Sequence, residues 1–268
     1  MIPEEWEKIK TYSLHDADDP LSLFDLMIPS FFYFCQSIPK TLQQVVSGAS
    51  GSQVDSFMKR SYLQMGHSLP EASPPVAYEG AISYGNAGIY NHVNKVDVAS
   101  LYPSIILQYE IYNRSKDPRA HFLKMVQIFT EERLKNKRLA KETGERRYKD
   151  LEQSQKIIIN SAYGFMGAPG LLFNSPVHAA EVTRHGREIL QAGIDWVNSR
   201  GYRIVNVDTD SFSYTTGTQV DDFDVHIEEI NSLFPEKIRW ENDGQYPKMI
   251  VVKAKNYIMY DGKKIKIK

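Results

Sequence analysis

Three carboxylates stand at the ends of two short apolar segments. Asp97 lies in Lys95-Val96-Asp97-Val98, where Val96 and Val98 alternate as in a strand. Asp208 and Asp210 flank Thr209 after Ile204-Val205-Asn206-Val207, and apolar alternation resumes up to Tyr214. That pattern predicts a β-hairpin with the acids at its tip. A carboxylate at the end of a buried strand costs solvation energy unless it is paired or holds a cation. An isolated Asp-x-Asp is most often a polar turn. Paired with an acid on another strand, it is the constellation a two-metal phosphoryl-transfer site requires. Hard oxygen ligands with no neighbouring His or Cys suit Mg²⁺ rather than zinc.

The elements around these acids carry cations at helical spacing. Residues 119–142 read as a long charged helix with Phe122, Val126 and Phe129 on the buried stripe and Arg133, Lys137 and Lys141 on a recurring face. A turn at 143–147 leads to a second helix over 149–166, so the two are expected to form an antiparallel hairpin. On the second helix Lys156, Asn160, Tyr163 and Gly164 share one face. Arg grips a phosphate as a fork and Lys as a point charge. A solvated helix face is the plain explanation for any one of them, and it is kept for Lys141.

The remaining chain supplies the frame. Residues 4–28 read as a helix that places Tyr12 and Asp16 one turn apart. Residues 47–52 are a loop or helix break, a helix follows over 54–65, and 66–76 with Pro70, Pro74 and Pro75 is a linker. Strands are expected over 82–98, with Gly85 and Gly88 at a turn. Ser100 to Ser104 turn the chain into a helix that accepts Pro103 near its start. Residues 176–200 form another helix, with Val182, Ile189 and Val197 on its stripe and Gly201 just past its end. His178 and His185 on it read as structural or solvent-facing. Residues 216–247 read as polar connection. Residues 250–257 alternate as a single strand that puts Lys253, Lys255 and Tyr257 on one face, and Asp261-Gly262 reads as a two-residue hairpin turn before Lys264, Lys266 and Lys268. A lysine-rich edge strand also discourages aggregation; beside Lys253, Lys255 and Tyr257, phosphate contact is the favoured reading.

These segments resemble the sequence motifs of the family B DNA polymerases. Asp97 to Ser104 (Asp-Val-Ala-Ser-Leu-Tyr-Pro-Ser) is similar to motif A, Lys156 to Gly164 (Lys-x3-Asn-Ser-x-Tyr-Gly) to motif B, and Asp208-Thr209-Asp210 to motif C. Asn206-Val207 departs from the Tyr-Gly often found before motif C. The resemblance implies an α+β fold: a palm with an antiparallel sheet and packed helices, plus an antiparallel two-helix fingers insertion. It implies DNA-directed DNA synthesis from dNTP on primer–template DNA. Asp97, Asp208 and Asp210 would be the catalytic ligands of two Mg²⁺ ions, with Mn²⁺ a substitute. Ser100, Leu101, Tyr102, Arg133, Lys137, Lys156, Asn160, Tyr163 and Gly164 would contact dNTP, and Tyr102 would exclude a ribose 2′-hydroxyl. Tyr78 and Gly80 resemble a template-contacting Tyr-x-Gly-Gly/Ala motif. With Thr209, Lys253, Lys255 and Tyr257 they would face DNA.

The implied division is an exonuclease remnant over 1–28 carrying Tyr12 and Asp16, a connector over 29–81, palm over 82–117 and 169–268, and fingers over 118–168. A thumb is not expected in this chain, so a complementary fragment is an expected partner, and no exonuclease activity is assigned. Two other classes compete: a non-catalytic polymerase-like scaffold, and a two-metal nuclease, for which motif B and Tyr102 have no use.

Composition sets the outer bounds. The 268 residues are 42% apolar with 16 Tyr and 12 Phe, ample for a core. A net charge of −1 hides a strong asymmetry: residues 1–26 hold seven acids against two lysines, and residues 248–268 hold seven lysines against one aspartate. The single cysteine, Cys35, excludes an internal disulfide. No membrane segment and no signal peptide is expected, which places the chain in the cytoplasm, a host's if it is phage-encoded.

Overall fold

The computed structural model describes residues 3–219 and 222–268. The α+β chain divides into two units: the residues up to Leu69 with Ile128–Ser161, and Pro70–Gln127 with Ala162–Lys268. Met1 and Ile2 of the segment read as 1–28 lie outside the described residues.

The first unit is helical. α1 runs over Pro3–Ser37 and continues through Pro20 and Pro29, nine residues beyond the expected end. Its side chains from Glu5 to Met27 are nearly all exposed, and only the last part, with Phe34, is buried. α2 (Leu42–Ser47) starts at a capping box: Thr41 accepts from the Gln44 amide and Gln44 accepts from the Thr41 amide. α3 (Ser50–Gln64) buries Val54, Met58 and Tyr62. The unit also holds most of the helix pair α5 (His121–Thr143) and α6 (Arg146–Gly167). Their connection is tighter than the sequence suggested, because Gly144 takes φ +70 and ends the first helix at once. Arg133 pairs with Glu152 and Asn136 with Gln155 across the hairpin.

The second unit is built on a seven-stranded antiparallel sheet in the order β1-β3-β4-β2-β5-β6-β7. The strands are β1 (Ser83–Gly85), β2 (Gly88–Val98), β3 (Arg203–Asp208), β4 (Ser211–Thr215), β5 (Trp240–Lys253), β6 (Asn256–Tyr260) and β7 (Ile265–Ile267). Alternation splits the sheet into two faces. Val96 and Phe212 are cross-strand partners, and α7 (Pro176–Ser199) packs its Gly193 against Phe212. Asp97 and Lys95 therefore point to the opposite face. The expected stripe of α7, Val182, Ile189 and Val197, is buried, and Gly201 takes φ +71 beyond its end. α4 (Leu101–Tyr109) follows β2 directly and packs on α7.

Three expectations fail here. The polar stretch 216–247 contains a helix, α8 (Phe223–Asn231), and the first half of β5. Phe223, Ile227 and Ile230 recur there at i, i+4 and i+7, with Phe223 and Ile230 buried, a short helical stripe that the overall polarity of the stretch masks. Residues 250–257 are not one strand: the chain reverses at Ala254-Lys255, where Lys255 takes φ +59 and Lys253 pairs with Asn256. Alternation was right on both sides and blind to the turn between. The connection after β6 is four residues long rather than two, because the Asp261 carboxylate accepts from the amides of Lys263 and Lys264.

Candidate active site

Register brings the acids together. Asp208 on β3 pairs with Ser211 on β4, and Ser211 pairs with Asp97 on β2, so one row crosses three strands. Asp210 sits in the turn just before Ser211. Its carbonyl accepts from the Val98 amide at 2.8 Å, which ties the hairpin tip to the end of β2. The backbone is bent to do this: Thr209 has φ +60 and Ser100, immediately after β2, has φ 51. A β-branched residue in that region is strained, and such strain concentrates at functional sites.

The carboxylates sit in opposite electrostatic settings. Burial and then the charge of Asp210 push Asp97 up to about 7, against the relief from Lys95. Asp210 is also raised, by burial first and by Asp208. Burial alone would raise Asp208 too, but Lys268 and Lys255 hold it below the usual carboxylate range. Lys268 Nζ donates to Asp208 Oδ2 at 2.9 Å, and Lys255 Nζ lies 3.4 Å from Oδ1. The hydroxyl of Thr209 also donates to Oδ1 at 3.2 Å. Among the described residues, no group of three or more His, Cys, Asp and Glu is arranged to hold a metal ion. The geometry gives the reason: Asp208 is turned onto lysines while Asp97 and Asp210 repel each other. Hard oxygens whose negative charge is only partly offset by Lys95 and Lys268 fit a divalent cation of the magnesium type at Asp97 and Asp210.

Lys95 is a residue the sequence reading missed. It is buried beside Asp97 on the same face and ion-paired with Asp243. Asp243 is an extra residue in β5, where the register shifts between Lys95 and Val96 and Gly244 takes φ +117. The bulge aims its carboxylate at Lys95. Strand alternation from Asp97 would have found Lys95, but nothing local announces its partner.

Three expected aromatic or small residues gather in the same unit. Tyr102 on α4 and Tyr163 on α6 have ring centroids 4.4 Å apart, and the Tyr163 hydroxyl donates to Tyr78 Oη at 3.4 Å. Tyr102 titrates above its ordinary range, through burial and then the charge of Asp210. Gly164 is exposed, and a side chain there would meet open space. Leu101, the first residue of α4, is buried rather than open to a ligand. Gly80 is exposed, and its carbonyl accepts from Arg187 at 2.8 Å. Lys253 is exposed, whereas Tyr257 is wholly buried.

The cations expected to meet a triphosphate lie on the hairpin of the first unit. Lys137, Lys156 and Asn160 are exposed. Arg133 is not open in the same way: its Nε is 2.8 Å from Glu152 Oε1, and both side chains are less than one-fifth exposed. Tyr12 and Asp16 are exposed on α1, with Tyr12 67% accessible. His178 accepts or donates at the Ser175 hydroxyl, and His185 stacks on Tyr109 at 4.0 Å.

The model of DNA polymerase family B matches residues 115–266, more than half of the chain. A DNA polymerase of Archaeoglobus fulgidus is 26% identical over 94% of this chain and 36% of its own length. DNA polymerase 1 of Pyrococcus abyssi is 24% identical over 97% of this chain and 39% of its own length. The chain thus spans a little over a third of these curated relatives. The family B DNA polymerase of Pyrobaculum calidifontis superimposes with a TM-score of 0.76 at 21% identity, covering 99% of this chain and 39% of that one.

Proposed function

The chain belongs to DNA polymerase family B, and we propose that it transfers deoxynucleotides from dNTP to a primer 3′-hydroxyl under direction of a template. The observation that carries this reading is the row Asp208–Ser211–Asp97 with Asp210 at its tip. In this reading Asp97, Asp208 and Asp210 would hold two magnesium ions, which when bound activate the attacking hydroxyl and offset charge on the leaving pyrophosphate. Lys255 and Lys268 occupy the Asp208 oxygens, so a cation bound there would take the place of these ammonium groups. Tyr102 meets the sugar of the incoming nucleotide, and its rigidity comes from Tyr163 against its ring. Lys137 and Lys156 offset triphosphate charge, with Asn160 on the same helix face. Arg133 reaches a phosphate only by leaving Glu152. Tyr78, Gly80, Thr209, Lys253 and Lys255 face primer–template.

The same reading makes residues 82–117 and 169–268 a palm and 118–168 fingers, works in DNA replication in a cytoplasm, and takes a complementary thumb-bearing segment as partner. No described helix is long and apolar enough to cross a membrane. The test is primer extension with Mg²⁺ or Mn²⁺ by the chain, alone and with the remaining segments of a family B polymerase added in trans. Extension that is lost in Asp97→Asn and in Asp208→Asn is the expected result. Extension undiminished in both variants would overturn it. DNA binding without extension in every mixture would favour the scaffold reading instead.

A further inference from the structure

Glycine in a helix interior costs about 1 kcal/mol relative to alanine, so a buried one asks for a packing reason. Gly186 stands in the middle of the 24-residue α7 and is buried. A Cβ there would lie 3.3 Å from Tyr102 Cε1, 3.7 Å from Leu101 Cδ2 and 3.8 Å from Ile105 Cδ1. The tightest of these contacts is with the Tyr102 ring, which also meets the Tyr163 ring at a centroid distance of 4.4 Å. The ring is therefore held close against α7 where a side chain is missing, and in contact with a second tyrosine.

The same face of α7 holds the segment that carries Tyr78. Thr183 Oγ1 donates to the Glu79 carbonyl at 2.9 Å, and Arg187 donates to the carbonyls of Glu79 and Gly80 at 2.8 Å each. Residues 183, 186 and 187 are neighbours on one helix face. Gly167, on α6, leaves the space that the Tyr78 hydroxyl fills, since a Cβ there would come within 2.3 Å of it. Tyr78 and Tyr163 thus meet through their hydroxyls and Tyr163 and Tyr102 through their rings, and α7 contacts both ends of this chain.

Resting on the reading of Tyr102 as the residue that meets the sugar, we propose that Gly186 is a positioning residue for sugar selection. Its lack of a side chain sets how far the Tyr102 ring stands off α7, and so how much room is left at the nucleotide C2′. A methyl group at 186 drives the ring away from α7 by a few tenths of an ångström. The space for the sugar narrows, and the 2′-hydroxyl is refused more strongly.

The test is a double-mutant cycle on primer extension with matched dNTP and rNTP, run with the chain and whatever added segments support extension. Gly186→Ala is expected to raise KM for dNTP about tenfold with kcat close to wild type, and to increase discrimination against rNTP, as sub-ångström displacement of a positioning group does. In the Tyr102→Val background, which on this reading should admit rNTP, the same substitution should change neither quantity, because the ring it acts through is gone. An active enzyme in which Gly186→Ala leaves KM and discrimination unaltered, or alters them equally without the Tyr102 ring, overturns the proposal. A second readout needs no turnover. In chain labelled with 3-fluorotyrosine, the ¹⁹F resonance that disappears in Tyr102→Val should move in Gly186→Ala while those of Tyr246 and Tyr260 stay in place. Absence of that shift overturns the seating in every case. A shift in a chain that extends no primer in any mixture supports the seating and removes the sugar-selection role with the reading it rests on.

Discussion

Asp97 and Asp208 lie two positions apart in one cross-strand row, yet their surroundings push them in opposite directions. Asp208 is satisfied by Lys268 and Lys255, while Asp97 faces Asp210 with only Lys95 in opposition. A buried carboxylate short of cations weakens the fold that holds it, and this is the kind of strain that functional sites retain. Asp97→Asn keeps the shape and removes the charge. At pH 8 without divalent metal, the variant should melt about 2–4 °C above the wild type, the equivalent of roughly 1 kcal/mol in a chain of this size. Primer extension should fall at least about a hundredfold in the same protein. Thermal melting in EDTA beside a primer-extension assay checks both, and a lower melting temperature would mean that Asp97 is better compensated than its neighbours indicate. Asp208→Asn should behave differently, because it leaves Lys268 and Lys255 without their partner; its melting temperature should drop.

The elements that carry these residues are held by close packing on the helix-covered face of the sheet. Gly193 of α7 is its tightest point: a Cβ there would lie 2.6 Å from Phe212 Cε1 and 3.3 Å from Trp240 Cζ2. Gly193→Ala should therefore destabilise by about 1–3 kcal/mol, overpacking outweighing the gain of about 1 kcal/mol in helix propensity. The urea midpoint should fall at unchanged slope. Near the same helix end, the Tyr214 hydroxyl lies 2.7 Å from His226 Nδ1, among the rings of Trp196, Tyr202 and Phe223. Burial lowers the affinity of His226 for a proton, and Arg200 adds to this against Glu229. The unfolded chain then binds the proton first as the pH falls, so the stability His226 contributes is complete above its unfolded pKa of about 6.5 and is lost below it. Urea midpoints at about pH 7.5 and pH 5 should differ less in His226→Gln than in the wild type. Much of this architecture was legible from the chain. The strands at Asp97 and Asp208, the α5–α6 hairpin and the α7 stripe follow from alternation and helical spacing. What was hidden depends on single backbone angles and on register: the reversal at Lys255, the bulge that aims Asp243 at Lys95, and the return of Lys268 from β7 to Asp208. None of these leaves a periodic trace: the first turns on one backbone angle, and the other two bring together residues far apart in sequence.

At the scale of the molecule, stability is distributed unevenly along the chain. The first three-quarters of α1 stands apart from the core: Trp6, Leu21, Phe24, Leu26 and Met27 are each at least half exposed. Isolated helices draw most of their stability from an apolar face packed on something else, and two prolines inside this helix each remove a backbone donor. The expected consequence is that residues 5–26 open with a free energy far below that of global unfolding. The interactions drawn from this stretch are sparse, the Arg146 guanidinium on the Asp25 carbonyl at 2.6 Å being one of them. Limited proteolysis with a protease specific for lysine should cut first at Lys8 and Lys10. Hydrogen exchange should show those amides unprotected while the amides of β2 and β4 resist exchange for orders of magnitude longer. Deleting residues 1–24 should leave the melting transition within about 2 °C of the full chain, since the side chains of residues 5–24 are exposed. A larger loss, or protection at Lys8 and Lys10 equal to that of the sheet, would show that α1 is supported by contacts its exposure does not reveal. The same stretch supplies Tyr12 and Asp16, so a truncated chain that keeps primer extension would also separate the nucleotidyl-transfer site from the pair resembling a proofreading motif.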